Sequence, residues 1–254
     1  MKKLLATTFL CAAPLVSQAD TILGVHAGIG QWNAGLSGEL GARGETTTAN
    51  ELGLDDSGNT FAYAALEHPI PLLPNIRVAI NQIEFDGAAT IERSFILDNQ
   101  TFNTNADTQS IFDISHNDAT LYWEILDNWV TLDLGVTARI FDGYAQVTGE
   151  SNGDTTTERV DIDVTVPMLY SQARFDLPFS GVYAGGLINV IDVSGVSLTD
   201  LDVFLGYEFN VALVDLGVRL GYKTLDLQLD DDADVDLVTD LKADGIYAGI
   251  TLHL

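Results

Sequence analysis

"WVTLDLGVTARIF", residues 129–141, decides the fold of this chain. Val130, Leu132, Leu134, Val136, Ala138 and Ile140 fall on one side of an extended pleat. Thr131, Asp133, Gly135, Thr137 and Arg139 fall on the other. Side chains alternate faces along a strand, so the apolar set makes a stripe about 35 Å long before tilt. Such a stripe crosses a hydrocarbon layer obliquely. The opposite face carries an aspartate and an arginine and fits only a narrow polar interior.

The same period of two recurs along the chain. "LDVFLGYE" sets Leu201, Val203, Leu205 and Tyr207 against Asp200, Asp202, Phe204 and Gly206. "VDLGVRLGYK" sets Val214, Leu216, Val218, Leu220 and Tyr222 against Asp215, Gly217, Arg219 and Lys223. "VDIDVTV" sets Val160, Ile162, Val164 and Val166 against Asp161, Asp163 and Thr165, with a change of parity expected at Pro167, as at a bulge. Ten strands are expected, near 21–32, 59–68, 76–88, 109–125, 130–147, 159–175, 182–192, 198–208, 213–229 and 239–254. Eight would result if 182–192 and 198–208 formed one irregular excursion.

The connections alternate in kind. "PIPLLPN", "LDNW", "DLPFSG" and "FNVA" are short. "SGELGARGETTTANELGLDDSG", "ILDNQTFNTNAD", "GESNGDTTTE" and "DDDADVD" are longer and polar. Short turns on one side and long loops on the other are the pattern of an all-β, transmembrane, antiparallel up-and-down β-barrel. Pro69, Pro71 and Pro74 lack amide donors and cannot extend a ladder, so "EHPIPLLPNIR", 67–77, reads as a rigid corner between strands. Glu67 and Arg77 are expected to pair across it.

The N-terminus, "MKKLLATTFLCAAPLVSQAD", has two lysines, an apolar stretch and small residues before Asp20. Residues 1–19 read as a cleaved signal peptide and residues 20–254 as one barrel domain. Cys11, the only cysteine, lies in the leader, so no disulfide framework is expected. The formal charge is −26, or −28 without Lys2 and Lys3, so no nucleic acid partner is expected and the chain is a poor candidate for binding anionic headgroups. The expected partners are outer-membrane lipid and, during biogenesis, periplasmic chaperones and the barrel-assembly machinery.

Three segments, "EHPIPLLPNIR", "DATLYWEILDNWVTLDLGVTARIFDG" and the closing "GIYAGITLHL", resemble a family of small Gram-negative outer-membrane β-barrel proteins without an assigned activity. The resemblance implies the outer membrane and the barrel fold, and brings no catalytic residues.

The inward faces carry both signs: Glu67, Asp133, Asp161, Asp163, Asp200, Asp202 and Asp215 against Arg77, Arg139, Arg174, Arg219 and Lys223. A ten-stranded barrel is too narrow for a broad channel, so these charges are expected to pair and plug the lumen. In "DISHND", His116 and Asp118 share a face, but Ser115 lies opposite and cannot complete a triad. His26, His68, His116 and His253 match no metal spacing, though first and last strands are neighbours and could bring His26 to His253. Asp230, Asp231, Asp232, Asp234 and Asp236 form a weak Ca²⁺ candidate without EF-hand spacing, better read as a solvated acidic loop. No cofactor is expected. The reading is therefore a non-enzymatic outer-membrane barrel with a structural or surface-interaction role carried by acidic extracellular loops. A narrow cation-preferring or small-solute channel is the alternative, and an outer-membrane hydrolase the second.

Overall fold

A computed structural model describes residues 23–42, 45–54, 56–97, 100–151, 153–193, 195–211, 214–229 and 238–254. The expected leader and the aspartate run Asp230, Asp231, Asp232, Asp234 and Asp236 lie outside the described residues. The elements are β1 (Gly24–Ala42), β2 (Glu45–Thr48), a 3₁₀ turn (Asn50–Leu52), β3 (Ser57–Glu67), β4 (Asn75–Gln82), β5 (Glu84–Thr90), β6 (Phe95–Leu97), β7 (Gln100–Phe102) and β8 (Asp107–Asp113). There follow β9 (His116–Leu126), β10 (Val130–Phe141), β11 (Gly143–Ser151), β12 (Asp154–Ile162), β13 (Thr165–Asp176), β14 (Val182–Val193), β15 (Val196–Val211), β16 (Val214–Leu229) and β17 (Val238–His253).

Ten of these strands, β1, β3, β4, β9, β10 and β13 to β17, pair antiparallel in that order, and β17 closes on β1 from His26↔His253 to Gly41↔Val238. The barrel has ten strands, and the segments near 182–192 and 198–208 are separate members of it, β14 and β15. The extra strand β2 folds back on the end of β1. No helix among the described residues is long and apolar enough to cross a membrane; the strands present the membrane surface instead. Ile29, Val78, Ile80, Leu134, Val136, Leu169, Val203, Leu205, Val218, Leu220, Ile246 and Ile250 all point outward and are exposed. A water-soluble protein does not present an apolar band of this extent.

At the end away from the short turns, four adjacent barrel strands rise into a second sheet in the same order, β5, β8, β11 and β12 continuing β4, β9, β10 and β13. Each join is a short break that hydrogen bonds still bridge, Ile114 N donating to Ile83 O and Asp142 N to Ser115 O. Across the break the chemistry of the two faces exchanges. On β4 the outward residues are Ile76, Val78 and Ile80, and on β5 they are Glu84 and Asp86. Inward, Arg77 and Asn81 give way to Ile83 and Phe85. On β10 and β11, inward Thr137 and Arg139 give way to Phe141, Ala145 and Val147. A barrel in lipid needs apolar groups outside, whereas a sheet in water needs them inside. The exchange therefore marks the membrane edge.

The extension is capped by segments expected as loops. Residues 37–42 continue β1, with Leu40 turned inward like Leu36 before it, and β6 pairs with β7. The pairing of β11 with β12 carries those two strands into the stretch around 149–158 expected as a loop. Leu52, Leu54, Phe85, Phe95, Leu97, Phe102 and Phe112 pack there into one core, which runs down into the lumen as far as Trp32, Phe204 and Tyr247.

The exchange also corrects the reading of "VDIDVTV". Val160, Ile162 and Val166 pack inward against that core, and Asp161 and Asp163 point outward into solvent. Inward parity is the same on both sides of Pro167, through Met168 and Tyr170, and the strand breaks at residues 163–164 instead. What changes along this segment is the surrounding medium.

The proline corner between β3 and β4 is as expected, with Leu72 at φ 71° and His68 Nε2 against the Pro74 carbonyl. The outward-facing Trp123 donates to the Leu72 carbonyl at 3.2 Å, so the corner lies back over the membrane side of the rim.

Candidate functional site

The lumen is built in layers by inward side chains, and each layer is one row of the pleat. Its middle is an ion cluster. Arg139 on β10 is 0% exposed. Its Nε and Nη2 donate to the two carboxylate oxygens of Asp118 on β9, each at 2.8 Å, and Nη2 also reaches Asp200 on β15 at 2.5 Å. Lys223 on β16 lies 3.6 Å from the other Asp200 oxygen and donates to Asn81 on β4 at 3.2 Å. Thr137 donates to Asn189 on β14 at 2.7 Å and is bonded to Thr120 on β9. Side chains from six strands thus tie across the interior, with two buried anions matched by two buried cations. Each charge removed from water here has a partner, without which burial would be prohibitive.

His116 sits beside this cluster. One ring nitrogen, Nδ1, lies 2.9 Å from the Ile114 carbonyl, and the ring packs on Phe141 at 5.1 Å. His116, Asp118 and Asp200 are the one trio among the described residues whose ligand atoms come close enough for a metal. Both carboxylates already hold Arg139, and Lys223 stands at the third side, so fixed cations occupy the place a metal would take. Ser115 Oγ accepts the Ile83 amide at 3.0 Å on the far side of the strand from His116, so it is not poised against the imidazole.

Above the cluster the interior is filled by the apolar core. Below it, a void of about 50 Å³ separates it from a belt of Tyr63, Arg77, Tyr170 and Arg219. Arg77 lies on the Tyr63 ring, 3.7 Å from its centroid, and Arg219 lies on Phe204 at 4.1 Å. Aromatic rings fit this narrow bore because glycines face them on the next strand. A Cβ at Gly206 would meet the Tyr183 ring at 2.1 Å, and one at Gly221 the Tyr247 ring at 2.4 Å. Asp202 is capped by the Tyr247 hydroxyl at 3.1 Å.

Towards the short turns the lumen widens into a cup of about 310 Å³. Glu67 accepts from the Tyr122 hydroxyl at 2.7 Å and pairs with His26 at 2.9 Å. His26 and His253 do meet at the seam, stacked 4.0 Å apart, with Asp215 3.9 Å from His253. Arg174 bridges Asp176 at 2.6 Å and Glu208 at 2.8 Å.

Of the twelve charged residues expected inside, the structure brings Arg139, Asp200 and Lys223 into one cluster. It places Asp133, Asp202, Arg219, Arg77, Glu67, Arg174 and Asp215 along the lumen in smaller groups. Two corrections follow. Asp161 and Asp163 are outside, Asp161 bonded to Arg159 on the solvent face of the extension, because that strand stretch lies above the membrane. Glu67 pairs with His26 and Tyr122 instead of Arg77, because Ala65, not Glu67, is the β3 residue opposite Arg77. The sequence points to Asp118 only beside His116, as a hydrolase candidate, and its reading does not include Asn81, Asn189 and Glu208. Their inward parity in "AINQ", "LINV" and "GYEF" was the available signal.

These observations define a transmembrane ten-stranded barrel whose bore is blocked by ion pairs and roofed by an apolar core. No family model and no curated protein matches the sequence. Among solved structures the chain is similar to the outer membrane protease OmpT of Escherichia coli, at 9% identity, TM-score 0.46, over 94% of this chain and 98% of that one. It is also similar to the Pseudomonas putida toluene transporter TodX, at 9% identity, TM-score 0.32, over 91% and 89%. A Pseudomonas aeruginosa FadL homologue compares at 8%, 0.32, 92% and 90%. At these values the likeness carries nothing about activity or substrate, and the fold rests on the chain's own strand order and closure.

Proposed function

We propose that this chain is a non-enzymatic outer-membrane barrel, closed to permeation, that serves as a structural and surface-interaction element through its acidic extracellular extension. The observation that carries this reading is the Arg139–Asp118–Asp200–Lys223 cluster lying across the bore beneath a continuous apolar core. Ions cannot pass a bore filled by side chains without breaking buried charge pairs, a cost of several kcal/mol. The outward apolar band and the resemblance of three segments to small Gram-negative outer-membrane barrels support the location, with lipid as the lasting partner and the short turns facing the periplasm. The non-enzymatic part is supported by the burial of His116 and by Arg139 holding both oxygens of Asp118.

Vesicles containing the folded protein are expected to retain small sugars and amino acids as protein-free vesicles do. Solute flux above that background rejects closure. Lipid and peptide substrates are expected to show no turnover; turnover abolished by His116→Ala would reinstate a hydrolase.

A further inference from the structure

We propose that the periplasm-facing cup binds a small organic cation of the diamine type, with Asp133 as the anchoring carboxylate. Asp133 is 2% exposed. Its Oδ2 accepts from Gln172 at 3.3 Å, while its Oδ1 is buried with no hydrogen-bond partner in the wall of the cup that Asp133 lines. A buried carboxylate oxygen is costly without a donor, so this atom selects a ligand that brings one.

The surroundings set the ligand's sign and shape. Among the described residues lining the cup, six carboxylates stand against three arginines. Arg174 is held by Asp176 and Glu208, and the planes of Arg77 and Arg219 lie on Tyr63 and Phe204. The strand register adds two rows. Glu124, Asp133 and Gln172 stand side by side across β9, β10 and β13, and the next inward row is Tyr122, Gly135 and Tyr170. The two tyrosines, with centroids 5.8 Å apart, flank a position without a side chain immediately above Asp133. Ring faces attract ammonium groups, and carboxylates bond to them.

A metal fits less well, because the one metal-sized trio among the described residues is His116, Asp118 and Asp200, higher in the bore. The cup's carboxylates are spread, which suits a ligand whose charges are spread too. Its volume is at the lower end of small-molecule pockets. The inference rests on the closed-lumen reading in one respect, that a dead-ended cup retains what enters it. Binding and permeation are measured separately, so either can fail alone.

The test is titration calorimetry on the full chain in detergent with 1,4-diaminobutane, and with 1,4-butanediol as the uncharged isostere. Saturable one-site binding of the diamine and none of the diol are expected. Asp133→Asn should weaken the diamine about tenfold or more, with heat-modifiable gel migration confirming the fold. If that variant does not fold, Glu124→Gln, directly opposite in register, takes its place and should weaken binding in the same direction. The proposal is overturned by absent diamine binding to the folded wild type, by equal binding of the diol, or by unchanged affinity in the folded variants. Displacement of the diamine by an equal concentration of calcium chloride would make the cup a metal site and overturn it equally.

Discussion

Arg139 and Asp118 stand directly opposite each other in the β9–β10 ladder and are joined by two parallel hydrogen bonds of 2.8 Å, both side chains buried. A fork of this kind fixes both side chains at once, because the guanidinium plane matches the carboxylate. Asp200, reached from the same Nη2, extends the contact across the bore. Removing Arg139 leaves two carboxylates facing each other without that counter-charge. Arg139→Met should therefore destabilise the folded barrel by about 3–5 kcal/mol in urea titrations from lipid vesicles. Combining Arg139→Met with Asp118→Asn should recover part of the loss, because the remaining Asp200 is then balanced by Lys223.

The membrane edge predicted by the exchange of faces can be located by arginine insertion. Val136→Arg lies in the outward band on β10 and should cost about 2–4 kcal/mol. Asp226→Arg on β16 lies beyond Tyr222, past the edge, and should change stability by less than about 1 kcal/mol. Equal costs at the two positions would mean that the edge has been misplaced.

The extension should behave as a small folded unit and not as loose loops. Phe95 and Phe102 stack 5.2 Å apart and are buried in its core. Phe95→Ala should cost about 3–5 kcal/mol there. Protease added outside vesicles should then cut between residues 84 and 113 while the barrel core keeps its heat-modifiable migration.

A pH dependence is built into the same extension. Arg93 donates twice to Glu51 at 2.9 Å, and Thr48 and Glu51 exchange hydrogen bonds as a capping box at the 3₁₀ turn. The Arg93 hydrogen bond, against a raising effect of burial, holds the Glu51 carboxyl down at about 2, below its ordinary 4.5. A group depressed in the folded state stabilises it fully above the unfolded value. That stabilisation is lost as pH falls from about 4.5 to about 2. A carboxyl-carbon NMR titration should place the Glu51 midpoint near 2, and Arg93→Ala should move it towards 4.5.

The strand count, the closure and the inward charges at Asp133, Arg139, Asp200 and Lys223 are legible in the sequence because one pleat face must suit lipid and the other must not. The extension is not legible by the same rule. "EFDGAAT" and "VDIDVTV" alternate as cleanly as "WVTLDLGVTARIF", yet their apolar sides face inward, and alternation alone does not say which medium surrounds a strand. The clue is the run "AINQIEF", where the apolar positions change parity between Ile80 and Ile83. Partner choice within the lumen is harder still. It depends on which strands a closed barrel brings face to face, so that Arg139 reaches Asp200, 61 positions away, while the nearer Asp133 lies three rows below.

Closure of the bore is tested most directly by single-channel recording of the wild-type protein in planar bilayers, with folding confirmed on the same sample. A trace without discrete steps at either polarity is the expected result. Stepwise, cation-selective conductance from the folded wild type would contradict it, and the reading of Arg139, Asp118, Asp200 and Lys223 as a plug would have to be given up.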